Sequence, residues 1–161
     1  MKRYLSLIKF SHTIFALPFA MIGFFLAVWQ EGFPFRWEKF LLVLLCMIFA
    51  RSAAMAFNRL IDAAYDSKNP RTAQREIPTG IISRSSAILF TVICVAGFVA
   101  SAFFINKLCF FLSPVALAVI LGYSYTKRFT HLSHFVLGLG LSLAPVGAYL
   151  AVTGQFELLP V

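Results

Sequence analysis

The chain has 161 residues, of which 60% are hydrophobic and 12% charged, and its mean hydropathy is +0.86. A water-soluble domain carries about a quarter of its residues as charges, so this chain lacks the polar residues to cover a water-facing surface, and a lipid bilayer is the solvent it suits. The net charge of +8 does not point to nucleic acid, because the basic residues sit in clusters between apolar runs and no charged arm or RNA-binding aromatic motif is present.

The chain opens with Met1, Lys2 and Arg3, and five apolar spans follow at roughly His12–Gln30, Phe40–Phe57, Ser85–Ile105, Cys109–Ser124 and Phe135–Val152. The first is as long as a full crossing and has no small-residue cleavage site, so it reads as a transmembrane helix rather than a signal peptide. Backbone groups in lipid must be paired within the segment, and the alternating polarity of a barrel strand is absent. The expected fold is therefore all-α, a polytopic transmembrane bundle of about five helices forming one domain over residues 1–161. The fourth span is short for a crossing. Cys46, Cys94 and Cys109 each lie inside an apolar run without CxxC or Cys/His spacing, and imply no disulfide or metal site.

Charge placement gives an orientation. Lys2, Arg3, Lys9, Arg59, Lys68, Arg71, Arg75, Arg84, Lys127 and Arg128 fall on one side, against Arg36, Lys39 and Lys107 on the other. The positive-inside rule then places the N-terminus and the two basic loops in the cytoplasm and the C-terminus outside, in an inner (plasma) membrane.

The segment from Arg51 to Gly80 carries the chemistry. Asn58, Asp62 and Asp66 recur every four residues, which on a helix sets three oxygen donors one above the next. Two carboxylates and an amide are hard ligands that suit Mg²⁺ together with water and substrate phosphates. Like charges four apart destabilise a bare helix, so a solvated helix end is the poorer explanation. Arg51 falls near the same stripe. Asn69-Pro70 marks the end of the helix, and Arg71 and Arg75 follow with Lys68 and Arg59 nearby. Guanidinium groups match phosphate oxygens, so the segment suits a metal–diphosphate; for Lys68 and Arg84 membrane topology is the sufficient explanation. Tyr123, Lys127 and Arg128 end the fourth span and are candidates to reach the same pocket, although Lys127-Arg128 is also a plain topological stop. Lys9, Ser11 and His12 at the mouth of the first span suit either an aromatic acceptor or interfacial anchoring. His131 and His134 are three apart without a carboxylate partner, which makes a zinc site a poor reading. The nineteen phenylalanines suit either an isoprenoid groove or lipid.

Asn58-x-x-x-Asp62-x-x-x-Asp66, with the following Asn69, Pro70, Arg71, Thr72, Arg75, Ile77, Pro78 and Gly80, resembles the first aspartate motif of the UbiA superfamily of membrane prenyltransferases. Tyr123 to Lys127-Arg128 resembles that family's Tyr-x-x-x-Lys-Arg element, and the opening IKFSHTIFALPFA is similar to its 4-hydroxybenzoate polyprenyltransferase branch and menaquinone-pathway relatives. The resemblance implies a bundle of usually nine helices that joins a polyprenyl diphosphate to an aromatic acceptor, with Mg²⁺ and loss of diphosphate. It implies Asn58, Asp62 and Asp66 as holders of Mg²⁺, and Arg71, Lys127 and Arg75 as groups that neutralise the leaving group. Naphthoate, haem or tetrapyrrole acceptors are alternatives, and half of an anion transporter is the rival from another class. The family's second Asp-x-x-x-Asp motif is absent here, since Glu157 is the only acidic residue after Glu76. The expectation from sequence is thus the first half of such a domain, whether a truncated gene model, a fragment or a short protein needing a partner, and inactive alone.

Overall fold

The computed structural model describes residues 2–8, 10–30, 32–129 and 133–155, without the side chains of residues 2, 3, 5, 10–16, 127 and 128. Its described residues form six helices: α1 Lys2–Leu7, α2 Phe10–Trp29, α3 Trp37–Asp66, α4 Arg84–Ile105, α5 Lys107–Phe129 and α6 Ser133–Thr153. The five expected spans correspond to α2 through α6. Among the described residues, α3, α4, α6 and the Lys107–Thr126 part of α5 are each long and apolar enough to cross a membrane, and α2 adds the apolar stretch Leu17–Trp29.

Two boundaries differ from the sequence expectation. The second span does not stop near Phe57: α3 runs unbroken for 30 residues to Asp66, so the polar stripe and the apolar wall belong to one rod. The fourth span is not short, since α5 has 23 residues. Pro114 inside α5 cannot donate to the Phe110 carbonyl, and the buried Ser113 hydroxyl donates to that oxygen instead, at 2.7 Å. Near the other end, Thr126 Oγ1 donates to the Tyr123 carbonyl at 3.1 Å, so polar residues continue the helix past the apolar run.

In lipid, helices associate through close packing of small residues and through hydrogen bonds, not by escaping water. The α2–α6 seam follows that rule. Ala20, Phe24 and Ala27 of α2 are buried against Ala148, Tyr149, Ala151 and Val152 of α6, with Val43 of α3. A Cβ on Gly23 would lie 1.9 Å from the Pro145 carbonyl oxygen, so only glycine permits this approach. The α3–α4 pair is built similarly from Ala50, Ala53, Ala56 and Ala63 against Ala87, Cys94 and Ala102. Buried Thr91 and Ser101 of α4 donate to the carbonyls four residues back, Ala87 at 2.8 Å and Gly97 at 2.7 Å, so neither hydroxyl is left unpaired in the seam.

At the end where α2 meets α3, the last carbonyls of α6 are capped from outside. Lys39 Nζ donates to the Val152 carbonyl and Asn106 Nδ2 to that of Leu150, both at 2.9 Å, while Asn106 Oδ1 accepts from the Cys109 amide at 2.7 Å. These partners satisfy groups that a helix terminus leaves orphaned. Trp29 and Trp37 stand exposed at this end, as interfacial anchors do.

Candidate functional site

The other end gathers the charged residues. Between α3 and α4, residues 67–83 form consecutive turns rather than an extended strap. The Asn69 carbonyl accepts from the amides of Thr72 and Ala73, and the Asn69 side-chain oxygen accepts from the Arg71 amide at 3.0 Å, an Asx turn. Thr72 Oγ1 returns to the Asp66 carbonyl at 3.1 Å. Gly80 takes φ +74°, which lets the chain reverse before Ser83 caps α4 by accepting from the Ser86 amide at 3.1 Å.

That winding brings Arg75 back to α3. Its Nη1 donates to both carboxylate oxygens of Asp66, at 2.8 and 2.7 Å, with the Asp66 side chain only 9% exposed. Sequence spacing placed Arg75 toward phosphate; the structure gives it a carboxylate partner. Arg59, also expected at the substrate, is buried within α3, in electrostatic reach of Asp62, Asp66, Arg75 and Glu76, and its Nε and Nη1 have no hydrogen-bond partner among the described residues. Asn58 and Asp62 are half-buried, and Arg71 is exposed on the loop.

Below the stripe lies an apolar cavity of about 560 Å³. Asn58, Arg51 and Tyr123 border it together with Ser124, and its walls continue past Met47 and Cys46 to Val43 and Cys109. Residues from α3, α4, α5 and α6 share this lining, with Phe19 from α2. Arg51 Nε is buried at this wall without a hydrogen-bond partner among the described residues. Along α3, Asn58 and Val43 are about 22 Å apart at 1.5 Å per residue, so the cavity is long as well as apolar.

Of the sequence-predicted residues, the structure thus brings together Asn58, Arg59, Asp62, Asp66 and Arg75 at one helix end and sets Tyr123 across the cavity from α3. His134 is exposed at the start of α6. Lys9 and His131 lie outside the described residues, as do Glu157 and the side chains of Ser11, His12, Lys127 and Arg128. Ser124, buried on the cavity wall, escaped sequence reading because a serine in an apolar run carries no spacing signal.

The donor set is all oxygen, from two carboxylates and an amide on one helix. Donors of this chemistry would suit Mg²⁺ together with phosphate oxygens and water, with the Asp66 carboxylate already oriented by Arg75. Among the described residues no three His, Cys, Asp or Glu cluster.

A sequence model of the UbiA prenyltransferase family matches residues 16–161. The chain is 35% identical over 126 residues to a 4-hydroxybenzoate octaprenyltransferase of Aliivibrio salmonicida, covering 78% of this chain and 44% of that protein. With the corresponding protein of Photobacterium profundum the figures are 33% over 161 residues, 98% and 55%. Among solved structures, a UbiA homologue from Aeropyrum pernix K1 superposes with a TM-score of 0.83 at 35% identity, covering 92% of this chain and 53% of the other. A UbiA homologue from Archaeoglobus fulgidus bound to GPP and Mg²⁺ shares the fold, with a TM-score of 0.78 at 22% identity, covering 97% and 56%. The chain spans about half the length of the curated relatives it matches.

Proposed function

The chain belongs to the UbiA prenyltransferase family, and on that premise we propose that it forms the diphosphate-holding wall of a membrane site that transfers a polyprenyl group to an aromatic acceptor. The donor is a polyprenyl diphosphate and the acceptor a ring of the 4-hydroxybenzoate type, in quinone biosynthesis. The observation that carries this reading is the continuity of α3, which bears Asn58, Asp62 and Asp66 at one end and the wall of the apolar cavity along the rest. A ligand with an anionic head and an isoprenoid tail is complementary to that rod.

In this reading Asn58, Asp62 and Asp66 hold Mg²⁺ against the diphosphate. Bound there, the metal neutralises charge that builds on the departing diphosphate. Arg75 restrains the Asp66 carboxylate through two short hydrogen bonds. Arg71, exposed on the same loop, meets phosphate oxygens, and Lys127 and Arg128 add positive charge at the end of α5. The bond between the allylic carbon and the diphosphate oxygen breaks with its electron pair on diphosphate. The ring carbon supplies the pair for the new carbon–carbon bond, and the ring proton is lost. An apolar wall protects the allylic cation from water, and preorganised positive charge at the head end stabilises the leaving group. Tyr123 lines the cavity that takes the tail in this reading. The N-terminus and basic loops face the cytoplasm of an inner (plasma) membrane.

The test is binding first and transfer second. In detergent, an all-trans polyprenyl diphosphate with Mg²⁺ raises the unfolding temperature, since a ligand of the folded state alone stabilises it, and EDTA removes the shift. An unchanged unfolding temperature at saturating Mg²⁺ and diphosphate rejects the proposal. In membranes supplied with 4-hydroxybenzoate or a naphthoate, any prenylated product identifies the acceptor and overturns the expectation that this chain is inactive alone.

A further inference from the structure

Helix α1 is the part of the bundle that the proposed reaction does not use, yet it is firmly seated. Leu7 is fully buried and Ile8 nearly so. Leu7 shares a cluster with Ala56 and Ala63 of α3, Ile77 and Ile82 of the loop, and Ala87 of α4. Tyr4 stacks on Phe90 of α4, with ring centroids 5.1 Å apart. One polar contact joins this helix to the loop: Ser6 Oγ donates to Glu76 Oε1. Glu76 directly follows Arg75, the residue that grips Asp66, and its own carbonyl accepts from the Ile82 amide at 3.0 Å. The buried Arg59 lies in electrostatic reach of Glu76 from the α3 side.

Two neighbouring loop residues are thus held by different helices, Arg75 by Asp66 of α3 and Glu76 by Ser6 of α1. We propose that Glu76 is a positioning residue, pinned by Ser6, which fixes the 67–83 loop so that Arg75 stays on Asp66 and the diphosphate end is preorganised. Helix α1 is then a clamp on the site from which none of its described residues reaches the stripe. This rests on the functional reading above for its ligand, but its geometry is testable without that ligand.

The experiment uses the whole chain in detergent, with Ser6→Ala, Glu76→Ala, Glu76→Gln and the double alanine variant. Limited trypsin cleavage after the exposed Lys68 and Arg71 reads loop fixation, and titration with Mg²⁺ plus an all-trans polyprenyl diphosphate reads the site. Glu76→Ala and Ser6→Ala each speed loop cleavage and weaken diphosphate binding about 10-fold, the usual cost of losing a group that orients a metal ligand. The double variant is no worse than Glu76→Ala alone, because the Ser6 contact is already lost there. Glu76→Gln keeps an acceptor oxygen for Ser6, retains loop protection, and separates the contact from any general loss of folding. Unchanged cleavage in both alanine variants overturns the clamp. Faster cleavage with unchanged diphosphate affinity overturns the positioning role. If the unsubstituted chain binds no diphosphate while cleavage responds as stated, the clamp stands and the functional reading fails.

Discussion

At the end where α2 meets α3, Phe24, Phe25, Phe35, Phe40, Trp29 and Trp37 touch one another through a run of ring contacts, and backbone passes backbone at Gly23 and Pro145. At the opposite end, order comes from a wound loop, one bifurcated Arg75–Asp66 bond and a serine on a glutamate. The first end is dense and nearly chargeless in its core; the second places Asp62, Asp66, Glu76 and Arg75 within electrostatic reach of Arg59. The difference teaches that, under the proposed function, apolar packing and ligand chemistry lie at opposite ends of the bundle. Rings and a glycine contact hold the first end, while hydrogen bonds and a charge pair fix the polar groups of the second.

Substitutions at the two ends should therefore fail in different assays. Asp62→Asn or Asp66→Asn has the largest expected effect, a loss of about 100-fold or more in Mg²⁺-dependent binding or transfer for several kcal/mol of metal-borne stabilisation; Asp62→Asn leaves the unfolding temperature little changed, whereas Asp66→Asn also gives up the charge pair with Arg75 and lowers it. Unaltered turnover in either variant sinks the metal assignment. Arg75→Ala sits at the hinge of the comparison, because it strands the largely buried Asp66 carboxylate at a cost of about 3 kcal/mol and lowers both stability and diphosphate affinity. At the ring-lined end, Gly23→Ala forces α2 away from Pro145 and costs about 1–3 kcal/mol, read as a lower unfolding temperature with unchanged Mg²⁺–diphosphate affinity. Asn106→Ala removes the link from α4 to α6 and costs about 1 kcal/mol, again in stability alone. A Gly23 or Asn106 variant that lost ligand affinity at full stability would break the separation.

Much of this was legible in the residues. Hydropathy marked α2 through α6, because apolar runs need no partner to declare themselves, and fourfold spacing put Asn58, Asp62 and Asp66 on one face. Hydropathy falls after Phe57, but the fourfold polar spacing and the stop at Asn69-Pro70 carried the helix on, and α3 ends at Asp66. The loop was opaque: Arg75 finds Asp66 only because turns at Asn69, Thr72 and Arg75 fold it back, and no periodicity encodes a chain reversal. Ser6 and Glu76 are far apart in sequence and ordinary in type. Lys39 was legible only as a charge opposite the basic loops, and nothing in its spacing pointed to the Val152 carbonyl that it meets.

Arg51 bears on how the chain enters the bilayer at all. It lies two turns into the membrane from Asn58, at the cavity wall, and an arginine deep in a spanning helix makes insertion less favourable by about 2.5–3.5 kcal/mol. Helix α4 carries no charge after Arg84 and packs along α3 through small residues. The wound loop between them keeps the two close, so α3 and α4 are suited to partition from the translocon as a hairpin, the uncharged helix carrying its charged neighbour into lipid during synthesis.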